Sequence, residues 1–374
     1  MDSDVQKTQG NNMLSFGYSS KGNYKNLPQR HGDTEEIRRN AERKRNGEAK
    51  KLFFIAFSPS LHLLPFSLVF FVFLCASVSL WLIMSFPLVV TGDEGKDAEA
   101  PIELVFVKGG CFQMGNIFAD EENNKKIPVY NKGSSLFGDG NEGEFNDEVP
   151  VHEVCVDDFY IGKYEITRSE FENFFSETGY VTDAQKMGCF GKVGYKWRKK
   201  MDFSWKKVDF PQTDRHPAVC ISYNDTQEFI KWLNKKFDGK YRLLTEAEWE
   251  YAARSGGKAE KWAGTNNESE LSDYAWYDKN SGGKTHPVGQ KKPNGLGIYD
   301  MSGNVWEWVE DWYEVDYYDR SPKINPLNTS PSHAKSMRSG PWSVSSQVVR
   351  TFYRGSDIPY SICDGLGFRV AKSL

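Results

Sequence analysis

Polar and apolar positions divide the chain into a polar front, a long apolar block and a mixed main body. Residues 1–51 are rich in Asn, Gln and Lys and poor in large apolar side chains, which predicts a disordered, basic tail. Residues 52–90 are strongly apolar, and their cleanest span covers residues 66–86. Because a bilayer-crossing helix needs about 20 apolar residues, this block predicts a membrane anchor. The polar residues 91–101 predict a short linker.

The main body, residues 102–374, shows strand and helix signals in succession. Apolar residues at 102–107 and alternating ones at 151–160 predict strands on either side of a long irregular loop. A terminal strand is predicted at 367–370. Helix starts are predicted where Ser or Thr precedes an acidic residue by three positions, at Thr167, Ser222 and Thr245.

Charge is distributed unevenly around the apolar block. The chain has a net charge of −4, whereas residues 1–51 hold 11 Lys+Arg and 7 Asp+Glu, a net of +4, so the remainder carries −8. A basic flank marks the cytosolic side, which predicts a cytosolic N-terminus and a periplasmic or extracellular main domain. A cleaved signal peptide is the alternative, and the long polar front favours the uncleaved anchor. An acidic, aromatic-rich body argues against nucleic acid as a partner.

Five cysteines follow the apolar block, and a compartment outside the cytosol favours disulfides. Cys111 and Cys155 lie on predicted early strands, and Cys189 and Cys220 bracket one loop. We predict disulfides within these two pairs, although the sequence alone leaves other connectivities open. Cys363 is then left unpaired.

Residues 297–313, GIYDMSGNVWEWVEDWY, combine a tight turn with an aromatic, acidic strand signal. Gly and Asn in the Ser-Gly-Asn turn tolerate the backbone angles of a sharp reversal. An extended segment after the turn places Trp306 and Trp308 on one face and Glu307 on the other. Glu307 and Asp300 are oxygen donors of the kind that a hard cation prefers.

This stretch resembles the signature of the formylglycine-generating enzyme (sulfatase-modifying factor) domain family, a variant of the C-type lectin fold. The segment RLLTEAEWEYAAR at 242–254 and the Gly-Phe-Arg at 367–369 are also similar to that family, and the resemblance covers about residues 102–374. It implies an α+β, loop-rich fold with two helices beside a small sheet, which here is preceded by one predicted transmembrane helix.

The same resemblance places the family's copper site on residues that cannot hold copper. The family's two copper-binding cysteines correspond to Val344 and Val349 in this chain. Copper(I) needs soft thiolate ligands, and valine supplies none. The sequence therefore predicts no catalytic residues of this type and no copper.

The resemblance also implies a structural calcium site on the turn motif. Its side-chain ligands correspond to Asp300 and Glu307, and its carbonyl ligands correspond to Gly303 and Val305. Alternate positions 303, 305 and 307 lie on one side of an extended segment, which is consistent with their binding the same cation.

The C-terminal loop has a restricted composition. Residues 351–366, TFYRGSDIPYSICDGL, contain no Lys, Glu, Gln, Met or Trp. Some relatives of this fold are variable proteins of diversity-generating retroelements, whose randomised positions take residues of this kind. Tyr and Ser are efficient contact residues in binding loops. The composition predicts a ligand-binding surface formed by Trp342, Ser343, Ser345, Phe352, Tyr353, Asp357 and Tyr360.

These observations predict a membrane-anchored, exported domain that binds a protein or glycan outside the cytosol and does not catalyse a reaction. One alternative is a divergent oxidoreductase of the formylglycine-generating type that acts on a client protein. A second is a variable ligand-binding protein of a diversity-generating retroelement. A third is a structural component of an envelope complex.

Overall fold

The computed structural model describes residues 102–119, 146–193 and 196–374. The predicted tail, membrane anchor and linker, residues 1–101, lie outside these ranges. Within the described part of the chain, no helix combines the length and the apolar character that crossing a bilayer requires.

Short strands and helices alternate along these residues. The strands are β1 Leu104–Val107, β2 Gly110–Met114, β3 His152–Val156, β4 Phe159–Gly162, β5 Cys189–Val193, β6 Lys196–Lys200, β7 Lys240–Arg242, β8 Trp306–Trp312, β9 Lys335–Arg338, β10 Gly355–Asp357, β11 Leu366–Phe368 and β12 Ala371–Ser373. The α-helices are α1 Arg168–Thr178, α2 Asp183–Met187, α3 Tyr223–Lys236, α4 Glu246–Ala253 and α5 Leu271–Tyr274. Single turns of 3-10 helix cover Asn146–Glu148, Glu268–Glu270 and Tyr317–Asp319.

Two four-stranded sheets carry the fold, with strand orders β1-β4-β12-β7 and β10-β9-β8-β11. The pairs are antiparallel except that β11 runs parallel to β8. The last strand, β12, lies inside the first sheet and pairs with β4 on one side and β7 on the other. Strands β2–β3 and β5–β6 form separate two-stranded sheets. This mixed arrangement confirms the predicted α+β class.

Two strand predictions need correction. The single strand predicted at 151–160 is divided by residues 157 and 158 into β3 and β4, which belong to different sheets. The strand predicted at 367–370 ends at residue 368 as part of β11, and residues 369 and 370 connect β11 to β12. Alternation of apolar residues does not show where a chain leaves one sheet for another, because both sheets impose the same period.

The three predicted helix starts are confirmed as capping boxes. The side chains of Thr167, Ser222 and Thr245 accept hydrogen bonds from the third backbone N–H of α1, α3 and α4 respectively. Helices α1 and α3 then pack through aromatic rings, with Phe171 stacked on Phe229 at 5.8 Å between ring centroids. Capping is a local interaction, so sequence spacing alone is enough to find it.

Helix α4 is buried on every side, and its charged residues therefore need buried partners. Arg354 Nε donates to Glu246 at 2.9 Å, and Arg338 bonds to Glu250. A third buried pair lies outside α4: Arg350 donates to Glu148 at 2.9 Å and so joins residues before β3 to the C-terminal region. All of these side chains are almost completely buried. Each charge is compensated by a direct partner, because an unpaired charge in this interior would cost several kcal/mol, roughly 3–5.

Both predicted disulfides are present. Cys111–Cys155 joins paired positions of β2 and β3, and Cys189–Cys220 joins β5 to the segment before α3. Cys363 is the free cysteine of the described residues and is buried. Burial raises the pKa of the Cys363 thiol well above its ordinary value, which keeps it protonated and unreactive.

A thiol-labelling experiment checks this cysteine pattern. In the native, unreduced protein, a maleimide should leave Cys363 unmodified, because the thiol is buried and protonated. After unfolding without reductant, Cys363 should react while the four disulfide cysteines stay protected, as read by peptide mass mapping. Labelling of Cys111 or Cys189 before reduction would contradict the assigned pairs.

Candidate functional site

The turn at residues 300–304 has the unusual backbone that its sequence predicts. Asp300, Gly303 and Asn304 adopt positive φ angles of 58°, 91° and 62°. A Cβ atom at Gly303 would lie 2.2 Å from the backbone oxygen of Trp276. A residue other than glycine therefore fits there only if the backbone moves. The turn leads directly into β8, which confirms the predicted extended segment.

Strand β8 presents Trp306 and Trp308 to one side and Glu307 to the other, as predicted. Trp306 and Trp308 belong to one apolar cluster with residues of α1 and α3. The Trp308 indole N–H donates to the backbone oxygen of Ile221 at 3.0 Å, so its polar atom is satisfied within the core. Glu307 lies on the other face and is completely buried.

Both oxygens of Glu307 bind an arginine. Arg369 donates from Nη2 to Oε1 at 2.6 Å and from Nε to Oε2 at 2.7 Å. The Trp249 indole N–H also donates to Oε2, at 2.7 Å. Residues from β8, α4 and the segment after β11 therefore meet at one buried carboxylate. The three sequence motifs that carry the family resemblance are in direct contact.

This arrangement does not present Glu307 as a free ligand for a cation. Its oxygens already face a guanidinium, and the described residues contain no group of three or more His, Cys, Asp or Glu side chains suited to a metal ion. Gly303 and Val305 lie where the motif predicts, and the Gly303 carbonyl accepts a hydrogen bond from Ser339 at 3.0 Å. The calcium site stays a prediction.

Asp300 is the one predicted side-chain ligand that retains an unpartnered oxygen. Its Oδ2 accepts the Gly289 N–H at 2.7 Å, whereas its buried Oδ1 has no hydrogen-bond partner among the described residues. The neighbouring Glu165 also has an unpartnered buried oxygen in this part of the structure. Burial raises the pKa of Asp300 to about 6 and that of Glu165 well above its ordinary value.

The positions that correspond to the family's copper cysteines lie in apolar surroundings. Val349 is fully buried in a cluster with Trp262, Leu271, Ala275 and Tyr277. Val344 is partly buried against the same cluster. Cys363 belongs to a different apolar cluster and is one thiol, not two. The residues present therefore do not fit a copper ion.

The predicted ligand-binding surface is only partly at the surface. Trp342, Phe352 and Tyr353 have exposed fractions of 2%, 0% and 8%, so these three are core residues. Trp342 packs against Phe210 and donates its indole N–H to the backbone oxygen of Asp364. The residues that remain at least partly exposed are Ser343, Ser345, Asp357 and Tyr360.

This loop contacts the β5–β6 hairpin, which the sequence pattern did not predict. Trp197 of β6 lies 6.5 Å from Trp342 between ring centroids, and the Lys192 ammonium lies 5.7 Å from the Trp342 ring. The backbone N–H of Lys192 donates a hydrogen bond to Asp364 Oδ2 at 3.1 Å. The dense run of Lys, Arg and Trp at 192–207 was the available signal.

Asp364 is a buried carboxyl with one oxygen that has no partner among the described residues. Burial raises its pKa to about 7 from the ordinary value of 3.8. The folded protein therefore binds this proton more tightly than the unfolded chain does. As pH rises from about 4 to about 7, this group lowers the free energy of unfolding, and the loss is complete above pH 7.

The ion pair between Glu307 and Arg369 predicts that Arg369→Met strongly destabilises the folded protein. The variant leaves Glu307 buried without its cation, so the free energy of unfolding should fall by about 3–5 kcal/mol in urea titrations. The matched control is Arg320→Met, because the Arg320 side chain is 51% exposed beside Asp316. The control should lose less than about 1 kcal/mol. Equal losses in the two variants would contradict the assigned role of Arg369.

The buried Asp364 carboxyl predicts that Asp364→Asn stabilises the folded protein by an amount that grows with pH. An amide can still accept the Lys192 N–H and does not ionise. Relative to the unmodified protein, the variant should gain about 1–3 kcal/mol in unfolding free energy between pH 4 and pH 8. The exposed Asp238→Asn serves as the control and should show no such gain. A constant difference across this pH range would show that Asp364 does not titrate as inferred.

Comparison with known proteins agrees with this geometry. A family model described as sulfatase-modifying factor enzyme 1-like domain matches residues 91–374. The formylglycine-generating enzyme of Streptomyces coelicolor is 30% identical over 316 residues, which cover 72% of this chain and 88% of that enzyme.

Solved structures show the same fold. The structure of PvdO from Pseudomonas aeruginosa is similar with a TM-score of 0.55 and 28% identity, over 76% of this chain and 98% of that one. Treponema denticola variable protein 1 shares the fold with a TM-score of 0.52 and 24% identity, over 74% and 98% of the respective chains. With its motifs, its fold and a family match over most of its length, this chain belongs to the sulfatase-modifying factor enzyme 1-like domain family.

Proposed function

We propose that this protein is a non-catalytic member of its family that acts by binding a protein or glycan. The observation that carries this proposal is the pair of valines, Val344 and Val349, at the positions of the family's copper cysteines. Val349 is fully buried among apolar side chains, which offer no ligand atoms to a metal. The scaffold motif is retained while the residues for copper chemistry are replaced.

The cysteines of the described residues do not compensate for these valines. In the described residues the four remaining cysteines of the domain form two disulfides, and Cys363 is buried with a raised pKa. A protonated, inaccessible thiol is a poor ligand and a poor nucleophile. Oxidation of a client cysteine by the family's copper chemistry therefore has no support among these residues.

The loops around Ser343 and Tyr360 provide the surface for binding. Their backbones are held by bonds to the rest of the domain: the Val344 oxygen accepts the Asp278 N–H at 3.0 Å, and the Pro359 oxygen accepts the Tyr223 N–H at 3.0 Å. Tyr360 is 54% exposed, and Ser343, Ser345 and Asp357 are partly exposed. Preorganised loops lose little conformational entropy when a ligand binds.

We further propose that the domain works outside the cytosol, held at a membrane by the apolar residues 52–90. Two disulfides within one domain favour an oxidising compartment. The charge difference across the apolar block supports the same orientation. Structural calcium at the turn motif belongs to this proposal only as a stabilising ion, with Asp300 as its remaining candidate side chain.

A divergent oxidoreductase is the second candidate. Its support is the 30% identity to an enzyme of Streptomyces coelicolor named for generating formylglycine. Such an activity would need a site that does not use the copper positions, because Val344 and Val349 supply no ligand atoms.

A turnover assay tests the non-catalytic proposal. The full-length protein, loaded with copper(I) and mixed with a cysteine-containing sulfatase peptide in air, should yield no aldehyde product by mass spectrometry. The reason is that no thiolate pair is present at positions 344 and 349.

The Streptomyces coelicolor formylglycine-generating enzyme is the positive control in the same assay. Copper-dependent conversion of the peptide by the present protein would overturn the proposal and favour the oxidoreductase. Loss of that conversion in Cys363→Ser would then identify the thiol responsible.

A further inference from the structure

The two disulfides of the described residues differ in exposure. Cys111 is exposed and Cys155 is half-buried, so the bond between them lies at the surface. Cys189 and Cys220 both have an exposed fraction of 0%. Because a thiolate must contact a sulfur atom in order to break a disulfide, access alone separates the two bonds.

The side-chain alternation of β2 and β3 places the first disulfide on the outer face of their sheet. Phe112 of β2 and Val154 of β3 are buried in one apolar cluster. Cys111 and Cys155 are their neighbours in sequence and therefore point to the opposite face, because successive side chains of a strand alternate in direction. The surface position of this disulfide thus follows from the register of the two strands.

Cys111 and Cys155 occupy a closely spaced position of the antiparallel pair. They lie directly opposite each other, with Cα atoms 3.9 Å apart. The Cys155 N–H donates to the Lys323 oxygen at 2.7 Å, and the Cys155 oxygen accepts the Asn325 N–H at 2.8 Å, so these groups turn away from β2. Opposed residues that do not bond to each other through the backbone bring their side chains closest together. The two sulfur atoms therefore stay adjacent when the bond between them is broken.

Both strands are also held by contacts that do not involve the disulfide. Arg254 donates to the backbone oxygens of Gln113 at 2.6 Å and Gly115 at 2.5 Å. The Gly115 N–H donates to Glu250 Oε1 at 2.9 Å. Strand β3 is bonded through Cys155 to residues 323 and 325. Opening the disulfide should therefore change the structure locally and leave the domain folded.

The second disulfide is protected by its surroundings. Cys189 and Cys220 belong to an apolar cluster that also contains Phe203, Val208 and Ile362. A thiolate would have to give up its hydration to enter this cluster, which is costly for any charged group. Reduction of Cys189–Cys220 therefore requires the surrounding structure to open first.

We propose that Cys111–Cys155 is a reversible exchange site for an external dithiol, whereas Cys189–Cys220 is a permanent crosslink. The dithiol is a small molecule or a protein with two neighbouring cysteines, and it supplies the electrons. Exposed disulfides are typically the labile, regulatory or catalytic ones. The exchange uses none of the loop residues assigned to binding above, so it goes beyond the proposed function and can fail independently of it.

The exchange takes two steps and needs no further co-reactant. A thiolate of the dithiol attacks Cys111 Sγ, because Cys111 is the more exposed partner. The disulfide breaks, a mixed disulfide forms at Cys111, and Cys155 leaves with the electron pair and takes up a proton. The second thiol of the reagent loses its proton and attacks the reagent's sulfur in the mixed disulfide, which releases Cys111 as a thiolate that is protonated in turn. The products are two protein thiols and one oxidised dithiol.

Graded reduction of the full-length native protein tests this assignment. Samples are incubated with dithiothreitol without denaturant, quenched with acid, unfolded and labelled with a maleimide, and the labelled peptides are identified by mass spectrometry. Cys111 and Cys155 should appear as thiols at least about 10-fold faster than Cys189 and Cys220. Tryptophan fluorescence should keep its native value during this fast phase. Cys363 is labelled in every sample and serves as the internal standard.

Two matched variants compare single thiols. Cys155→Ser frees Cys111 at the surface, and Cys220→Ser frees Cys189 in the core. In the folded variants, Cys111 should react with a chromogenic aromatic disulfide at least about 100-fold faster than Cys189. If a variant does not fold, the graded reduction of the unsubstituted protein still decides the question.

Phenylarsine oxide tests whether the two freed thiols stay adjacent. Its arsenic atom binds two neighbouring thiols and releases one water. One molecule should add to the selectively reduced protein and block reoxidation, whereas Cys155→Ser should form no such adduct. Reduction by thioredoxin at the same dithiol concentration distinguishes the sources of electrons. A faster reaction than with dithiothreitol indicates a protein partner, and an equal or slower one indicates a small dithiol.

Three results would overturn the proposal. Reduction of both disulfides at the same rate would show that exposure does not control access to them. Loss of native tryptophan fluorescence in step with the appearance of the Cys111 thiol would make Cys111–Cys155 a crosslink on which the fold depends. Absence of the arsenic adduct after selective reduction would show that the two thiols separate and do not form a reversible pair.

Discussion

The fold depends on one buried ion pair between Glu307 and Arg369. Glu307 is on β8, and Arg369 follows β11, so the pair joins a central strand to the connection between β11 and β12. The Trp249 indole N–H adds helix α4 to the same carboxylate. Arg369 also donates to the backbone oxygens of Gly162 and Tyr299. Burial of these charges is tolerable because both Glu307 oxygens and all three Arg369 side-chain nitrogens have hydrogen-bond partners.

The residues that identify the family are therefore structural parts of this protein. Glu307, Arg369 and Trp249 hold three segments together, and the tight turn at Gly303 sets the direction of β8. The positions that the resemblance implies for copper binding, Val344 and Val349, lie elsewhere in the chain. A scaffold and a metal site can change separately because they do not share residues. For this reason the family match describes the architecture and leaves the activity to the site.

Predictions from local patterns agree with the structure where the deciding interaction is also local. The capping boxes at Thr167, Ser222 and Thr245 involve residues three positions apart, and the alternation at Trp306 and Trp308 follows from one extended strand. Residue type alone was a poor guide to exposure. Trp342, Phe352 and Tyr353 resemble binding residues in composition, yet packing with distant segments buries all three.

The sequence by itself determined the family, the main helices and the turn motif, because each depends on residue identity or short spacing. Only the tertiary structure decided that Glu307 binds Arg369, 62 residues away, and that Lys192 and Trp197 lie beside Trp342. Contacts between such distant residues depend on how sheets and loops pack. The motif at residues 297–313 thus shows which scaffold is present, and packing determines which of its charged groups remain free to bind.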